Sequence, residues 1–237
     1  MTTPLAATSL PQAFDDDAWD DLLNYIEEHR VIPIIGPDLL RVQTDTGLRP
    51  LYVWLAEKLA ARLAVDTSAL PQPLTLNDVM CSYLGQRGRR EEAYTRLRSI
   101  MREVQFEPPQ ALRQLAQITD FDLFVTTTFD PLLENALNSE RFGGQPSTEV
   151  IAYAPNRVAD LPAERADLRR TVVYHLLGRL SASPTYVLSD EDMLEFICAL
   201  QSEHLTPEKL FHELEHNHLL LIGSDFSNWL ARLFLRM

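Results

Sequence analysis

The sequence predicts an α/β domain built on a mostly parallel sheet, and three observations carry that expectation. Short apolar runs alternate along the chain with longer stretches of helical periodicity. Several of the runs end on or near glycine, as buried strands do where the backbone turns sharply. The chain has 237 residues, 46% of them hydrophobic, which suffices for one large domain with a real core.

The elements follow in order. Asp15, Asp16 and Asp17 precede Trp19, Leu22, Leu23 and Ile26, one apolar helix stripe with carboxylates at the end the helix dipole favours. Val31-Ile32-Pro33-Ile34-Ile35-Gly36 reads as a buried strand that turns at its glycine. Residues 51–118 are helical throughout. Leu55, Leu59 and Leu63 share one face; Ala93, Leu97, Ile100, Met101 and Val104 share another; Leu112, Leu115 and Ala116 begin a third after Pro108-Pro109. This stretch is expected to be a helical insertion beside the sheet. Residues 121–126 form the next strand, and Asp130-Pro131 is an N-cap and first-turn pair for a helix through Leu137. Strands are expected at 149–153, 172–176, 185–188 and 219–222, which makes six in all. Ser189 with Asp192 caps a helix, Thr206-Pro207 starts another, and Ser227 opens a last one. The helical pattern runs to Met237, which suggests a fragment of a longer multidomain protein.

Composition excludes several classes of function. The net charge is −13, from 21 basic and 34 acidic residues, so phosphate backbones and anionic membranes are repelled. No apolar run reaches the ~20 residues that span a bilayer, and residues 1–13 lack the basic start of a secretion signal. A reducing cytoplasm is the expected compartment. Cys81 and Cys198 are too few for a four-thiolate zinc site, and their apolar helical settings predict buried thiols. His212-Glu213-Leu214-Glu215-His216 fits the HExxH pattern, but at the end of a short helix, where two solvated histidines near a C-terminus are the expected reading and no metal is. Arg87, Arg89 and Arg90 form a basic cluster in a turn, either solvated or facing an acidic partner or subunit. Neither a nucleophile elbow nor a phosphate-binding P-loop is present.

In open parallel sheets, ligands bind beyond the carboxyl ends of the strands. Four such ends carry unusual residues: Gly36; Thr126-Thr127-Thr128-Phe129-Asp130; His175 through Gly178; and Gly223-Ser224-Asp225. These residues also carry a resemblance. Val31 to Gly36 resembles the strand leading into the Gly-Ala-Gly-x-Ser loop of the sirtuin-like NAD-binding domains of prokaryotic anti-phage proteins. Phe124 to Asp130, running on through Pro131-Leu-Leu-Glu134, is similar to that family's Thr-Thr-Asn-Tyr-Asp segment and the helix after it. Val173-Tyr-His175-Leu-Leu-Gly178 resembles its Tyr-His-x-x-Gly strand, and Leu221 to Trp229 its closing Gly-x-Ser-x-x-Asp loop.

The resemblance implies a Rossmann-like fold over 1–237 and cleavage of NAD at the nicotinamide–ribose bond. His175 would be the base and Thr128 would stand where the family has the asparagine that holds the attacking water. Gly36, Asp38, Thr127, Asp130, Gly178, Gly223, Ser224 and Asn228 would line the cofactor cleft, with no metal. The chain departs from the pattern at Thr128, Pro37, Asp38, Leu40 and Asn228. Asp38 puts charge and a Cβ where a pyrophosphate would lie, and Pro37 removes an amide donor. The expectation is therefore a degenerate regulatory or assembly module of a defence protein, retaining at most recognition of an NAD-type nucleotide. It would self-associate or join another defence subunit or effector domain, a C-terminal Toll/interleukin-receptor domain being one that the resemblance suggests. The alternative is an active NAD hydrolase that uses His175 and Thr128. Zinc-dependent deacylation would need a four-cysteine module that the chain cannot supply.

Overall fold

A computed structural model describes residues 15–202 and 204–224. Its centre is a five-stranded sheet in the order β5-β6-β4-β1-β7, and every neighbouring pair is parallel. The strands are β1 (Val31–Ile35), β4 (Leu123–Thr126), β5 (Glu149–Ala152), β6 (Val172–His175) and β7 (His218–Ile222). Between β1 and β4 lie an antiparallel hairpin, β2 (Arg41–Thr44) with β3 (Gly47–Pro50), and four helices: α2 (Leu51–Arg62), α3 (Leu76–Gly85), α4 (Arg90–Glu103) and α5 (Gln110–Ala116). Helix α1 (Asp16–Glu27) precedes β1, α6 (Leu132–Phe142) joins β4 to β5, and α7 (Asp190–Leu200) and α8 (Glu208–His216) join β6 to β7.

Alternation along each strand divides the core into two layers. Val31, Ile35, Phe124 and Val173 face α2, α4, α5 and α6, through residues such as Leu55, Leu97, Leu112 and Leu133. Ile32, Ile34, Leu123, Val125, Val172 and Tyr174 face α7 and α8, through Phe196, Leu200 and Leu210. Both faces are covered, which is why β1 is apolar throughout, β4 and β6 are apolar up to Thr126 and His175 at their ends, and all three are buried at every position.

Two expectations need correction. The sheet has five strands, not six. Residues 185–188 make only an isolated antiparallel bridge, Tyr186 to Gly178, because this segment folds back along the turn after β6; the Val187 amide donates to the Leu177 carbonyl at 3.0 Å. Cys81 and Cys198 are exposed, because each lies on the outer side of its helix. Helix α1 forms where its apolar stripe predicts, with Leu22, Tyr25 and Ile26 packed against the core.

The caps follow the sequence more closely. Ser189 and Asp192 form a reciprocal capping box at α7, as Thr75 and Asp78 do at α3. Asp130 caps from one residue further out than expected: its Oδ1 accepts the Leu132 amide at 3.1 Å, and α6 itself begins at Leu132. Among the described residues, no helix is long and apolar enough to cross a membrane.

Candidate functional site

The carboxyl ends of β1, β4, β6 and β7 meet on one edge of the sheet, and the unusual residues of the sequence converge there. Their backbones are stitched together. The Thr127 amide donates to the Ile35 carbonyl, the Gly36 amide to Ile222 and the Asp38 amide to Gly223, each at 2.9 Å. A side chain on Gly36 would run into the Gly223 carbonyl and the Ser224 hydroxyl, so glycine is required there for close approach rather than for its dihedral angles. Gly178, by contrast, has φ +83°, and a Cβ there would also strike the Thr185 carbonyl. Asp38 sits exposed in a short 3-10 turn, Pro37–Leu39, while Leu40 is buried.

The centre of the site is charged and buried. His175, the last residue of β6, is fully buried. Its Nδ1 lies 2.9 Å from the Thr128 carbonyl. A carbonyl oxygen only accepts, so Nδ1 carries the proton. Its Nε2 faces Glu134 Oε2 at 3.3 Å, close enough to pair by charge but without the alignment of a hydrogen bond. The other carboxylate oxygen of Glu134 accepts from Arg179 at 3.0 Å. Burial raises the carboxyl pKa of Glu134, but His175 and Arg179 outweigh it, and the group ends below the ordinary carboxylate value. Glu134 is therefore ionised at neutral pH.

Asp130 lies beside this group, 1% exposed. The hydroxyl of Tyr52, in the first turn of α2, donates to Asp130 Oδ2 at 3.2 Å and accepts from the Phe129 amide at 3.0 Å. Burial pushes the Asp130 carboxyl up; the Leu132 amide opposes this and the charge of Glu134 adds to it, leaving it raised. Burial, then the Asp130 charge, also push the Tyr52 phenol well above its usual value, so it stays a donor. The Thr128 hydroxyl is bonded to that of Thr126 at 2.9 Å, and Thr127 Oγ1 donates to the Ile35 carbonyl at 3.2 Å.

The structure thus brings together His175, Thr128, Asp130, Thr127, Gly178, Gly36, Asp38, Gly223 and Ser224. Asn228 lies outside the described residues. Residues 122–237 match the family model of the SIR2-like domain. The SIR2-like stretch holds β4 to β7, and with them His175, Glu134 and Arg179. Tyr52 reaches the same site from outside it. No curated protein matches the chain.

Sequence reasoning gave no role to Glu134, Arg179 or Tyr52. Glu134 had one signal, its place four residues after Asp130 and so near it on the α6 side. Tyr52 had none.

A second charged region lies at the opposite end of the sheet. There a cavity of about 520 Å³ is lined by Glu28, His29, Asp122, Glu164, Arg165 and Glu213, among others. Its buried guanidinium is already engaged. Arg165 donates to Asp122 at 2.7 Å, to the Val31 carbonyl at 3.0 Å and to Asn217 at 3.3 Å. Among the described residues, no group of three or more His, Cys, Asp or Glu is placed to hold a metal ion.

Proposed function

We propose that this SIR2-like fold serves as a regulatory or assembly module of a bacterial anti-phage defence protein, with a cleft that recognises an NAD-type nucleotide without cleaving it. The observation that carries the reading is the engagement of His175. A general base needs a lone pair within reach of water or a ribose hydroxyl. Nδ1 spends its proton on Thr128, and Nε2 is fully buried against the Glu134 carboxylate instead of facing an open cleft. Two further observations support it. The Thr128 hydroxyl is tied to Thr126, away from any water-holding role. The Gly36 and Asp38 amides, which a pyrophosphate would draw on, are bonded to carbonyls of the β7 loop. The fit to NAD is therefore partial: the strand ends converge, but the phosphate-binding donors are spent.

The second reading is an active NAD hydrolase with His175 as base and Thr128 in place of the asparagine. It draws on the convergence of Thr128, Asp130 and His175 at the ends of β4 and β6. As a module, the chain would associate with itself or with an effector subunit through the helices between β3 and β4.

Calorimetry with NAD, followed by an overnight assay for released nicotinamide on the same sample, separates the readings. Binding without nicotinamide release is the expected result. Turnover that His175→Ala abolishes would overturn the proposal in favour of the hydrolase. Absence of any binding would reduce the role to assembly alone.

A further inference from the structure

We propose that His212 and His216 form a two-point chelate for a divalent transition-metal ion of the zinc class on the outer face of α8. Both histidines are exposed and stand four residues apart, so their rings lie one above the other on the helix. The ring centroids are 4.1 Å apart, with the planes inclined by 33°. His216 Nδ1 donates to the His212 carbonyl at 2.8 Å. That bond fixes the proton on Nδ1 and leaves the lone pair on Nε2, which is how metal-bound histidines are held and oriented by a second partner. In a tetrahedral site with ordinary zinc–nitrogen bonds, two ring centroids stand about 5 Å apart, so the exposed rings must part slightly and turn out of their stack for both lone pairs to meet one ion.

The rest of the helix defines what kind of site this is. Glu208 and Glu215 are exposed and lie three or four residues from His212, so they add negative charge to the same stripe. Glu213, the acid of the HExxH pattern, points the other way. Its Oε1 accepts the Arg165 amide at 3.2 Å and its Oε2 accepts from Asn217 at 3.0 Å, so it cannot serve as a general base beside the histidines. The two imidazoles therefore bind the ion with water completing its shell, and the site holds a metal without hydrolysing anything. A cation there bridges the last turn of α8, where Glu213 and Asn217 also hold Arg165 and, through it, β1.

The test is titration of zinc chloride into the tag-free chain in a non-chelating buffer, read by calorimetry, with cobalt(II) absorption as a second probe. One ion per chain in the micromolar range is expected, and His212→Ala or His216→Ala should each weaken it by about tenfold or more. Both side chains are exposed, so the variants should keep the wild-type unfolding midpoint in the absence of metal. Zinc should raise that midpoint in the wild type and leave it unmoved in His216→Ala. Cys81 and Cys198 are the rival ligands. The double variant C81S/C198S should bind as the wild type does, and the cobalt complex should lack a thiolate charge-transfer band. No binding up to millimolar zinc, binding that survives both histidine substitutions, or binding that disappears with the cysteines would each overturn the proposal.

Discussion

Replacing Glu134 tests the buried charge cluster directly. The Glu134 side chain is 4% exposed and faces a fully buried His175 on one side and Arg179, 45% exposed, on the other. Glu134→Ala removes the carboxylate and strands the His175 Nε2 in the core. Truncating a buried side chain and leaving its polar neighbours unpaired costs about 2–4 kcal/mol. Arg179 can rehydrate, so its share of that cost is small, about 0–1 kcal/mol. Glu134→Gln keeps the volume and an acceptor for Arg179, and should lose about 1–3 kcal/mol.

Urea unfolding at pH 7 measures both variants, and the pH dependence fixes the cause. The folded pKa of Glu134 is lowered. Its stabilisation is therefore fully present above the unfolded value of about 4.3 and is lost as pH falls through the lower folded value. The gap between wild type and Glu134→Gln should hold at pH 5 to 7 and narrow below about pH 4. A cost under ~1 kcal/mol for the alanine variant, or a gap that widens in acid, would refute the account.

Three further predictions follow from the same neighbourhood and from the surface. Asp130 has a raised folded pKa, so its contribution is most favourable below the unfolded value and is lost as pH rises through the folded one; Asp130→Asn should remove that decline, read as unfolding midpoints at pH 4 and pH 7. Tyr52→Phe leaves both the Phe129 amide and Asp130 Oδ2 without their bridge, and should cost about 1–3 kcal/mol in thermal unfolding; an unchanged midpoint would mean that the hydroxyl does not hold the 126–130 segment. Both cysteines should react with a disulfide reagent in the folded protein, and the Cys81 reaction near pH 8 should run slower than that of a free thiol, because burial and then nearby acids raise its pKa; two unreactive thiols would show that the exposed geometry is wrong.

How much was legible in the sequence depended on whether a feature was local. β1, β4 and β6 announced themselves because a strand buried on both faces is apolar along nearly its whole length. The capping box at Ser189 and Asp192 was legible because its partners are three residues apart. The segment 185–188 misled because Tyr186 and Leu188 are buried beside the sheet with only an isolated bridge to Gly178, without joining the ladder. The β2–β3 hairpin left only a weak trace, the polar Thr44-Asp45-Thr46-Gly47 turn, and its strands bury a single side chain, Val42. At the site, the strand-end residues were visible one by one. The pairing of Glu134 with His175 and Arg179 was not, since the sheet brings together residues more than forty positions apart. The cysteines were misjudged because an apolar neighbourhood in sequence does not say which side of a helix a residue takes.

The strand order has a consequence for how the chain acquires its structure. β1 is bordered by β4 on one side and by β7 on the other, and the second pairing joins Val31 to His218. Of the five sheet strands described, the first in sequence must wait for the last before both its edges are satisfied. Contacts so distant in sequence carry the full entropy of closing the loop between them, and they slow folding. Until then β1 presents an apolar, unpaired edge of the kind that templates association between chains. The helices between β3 and β4 pack among themselves over short separations, so they can form early and shield one face of that strand while the other edge stays open.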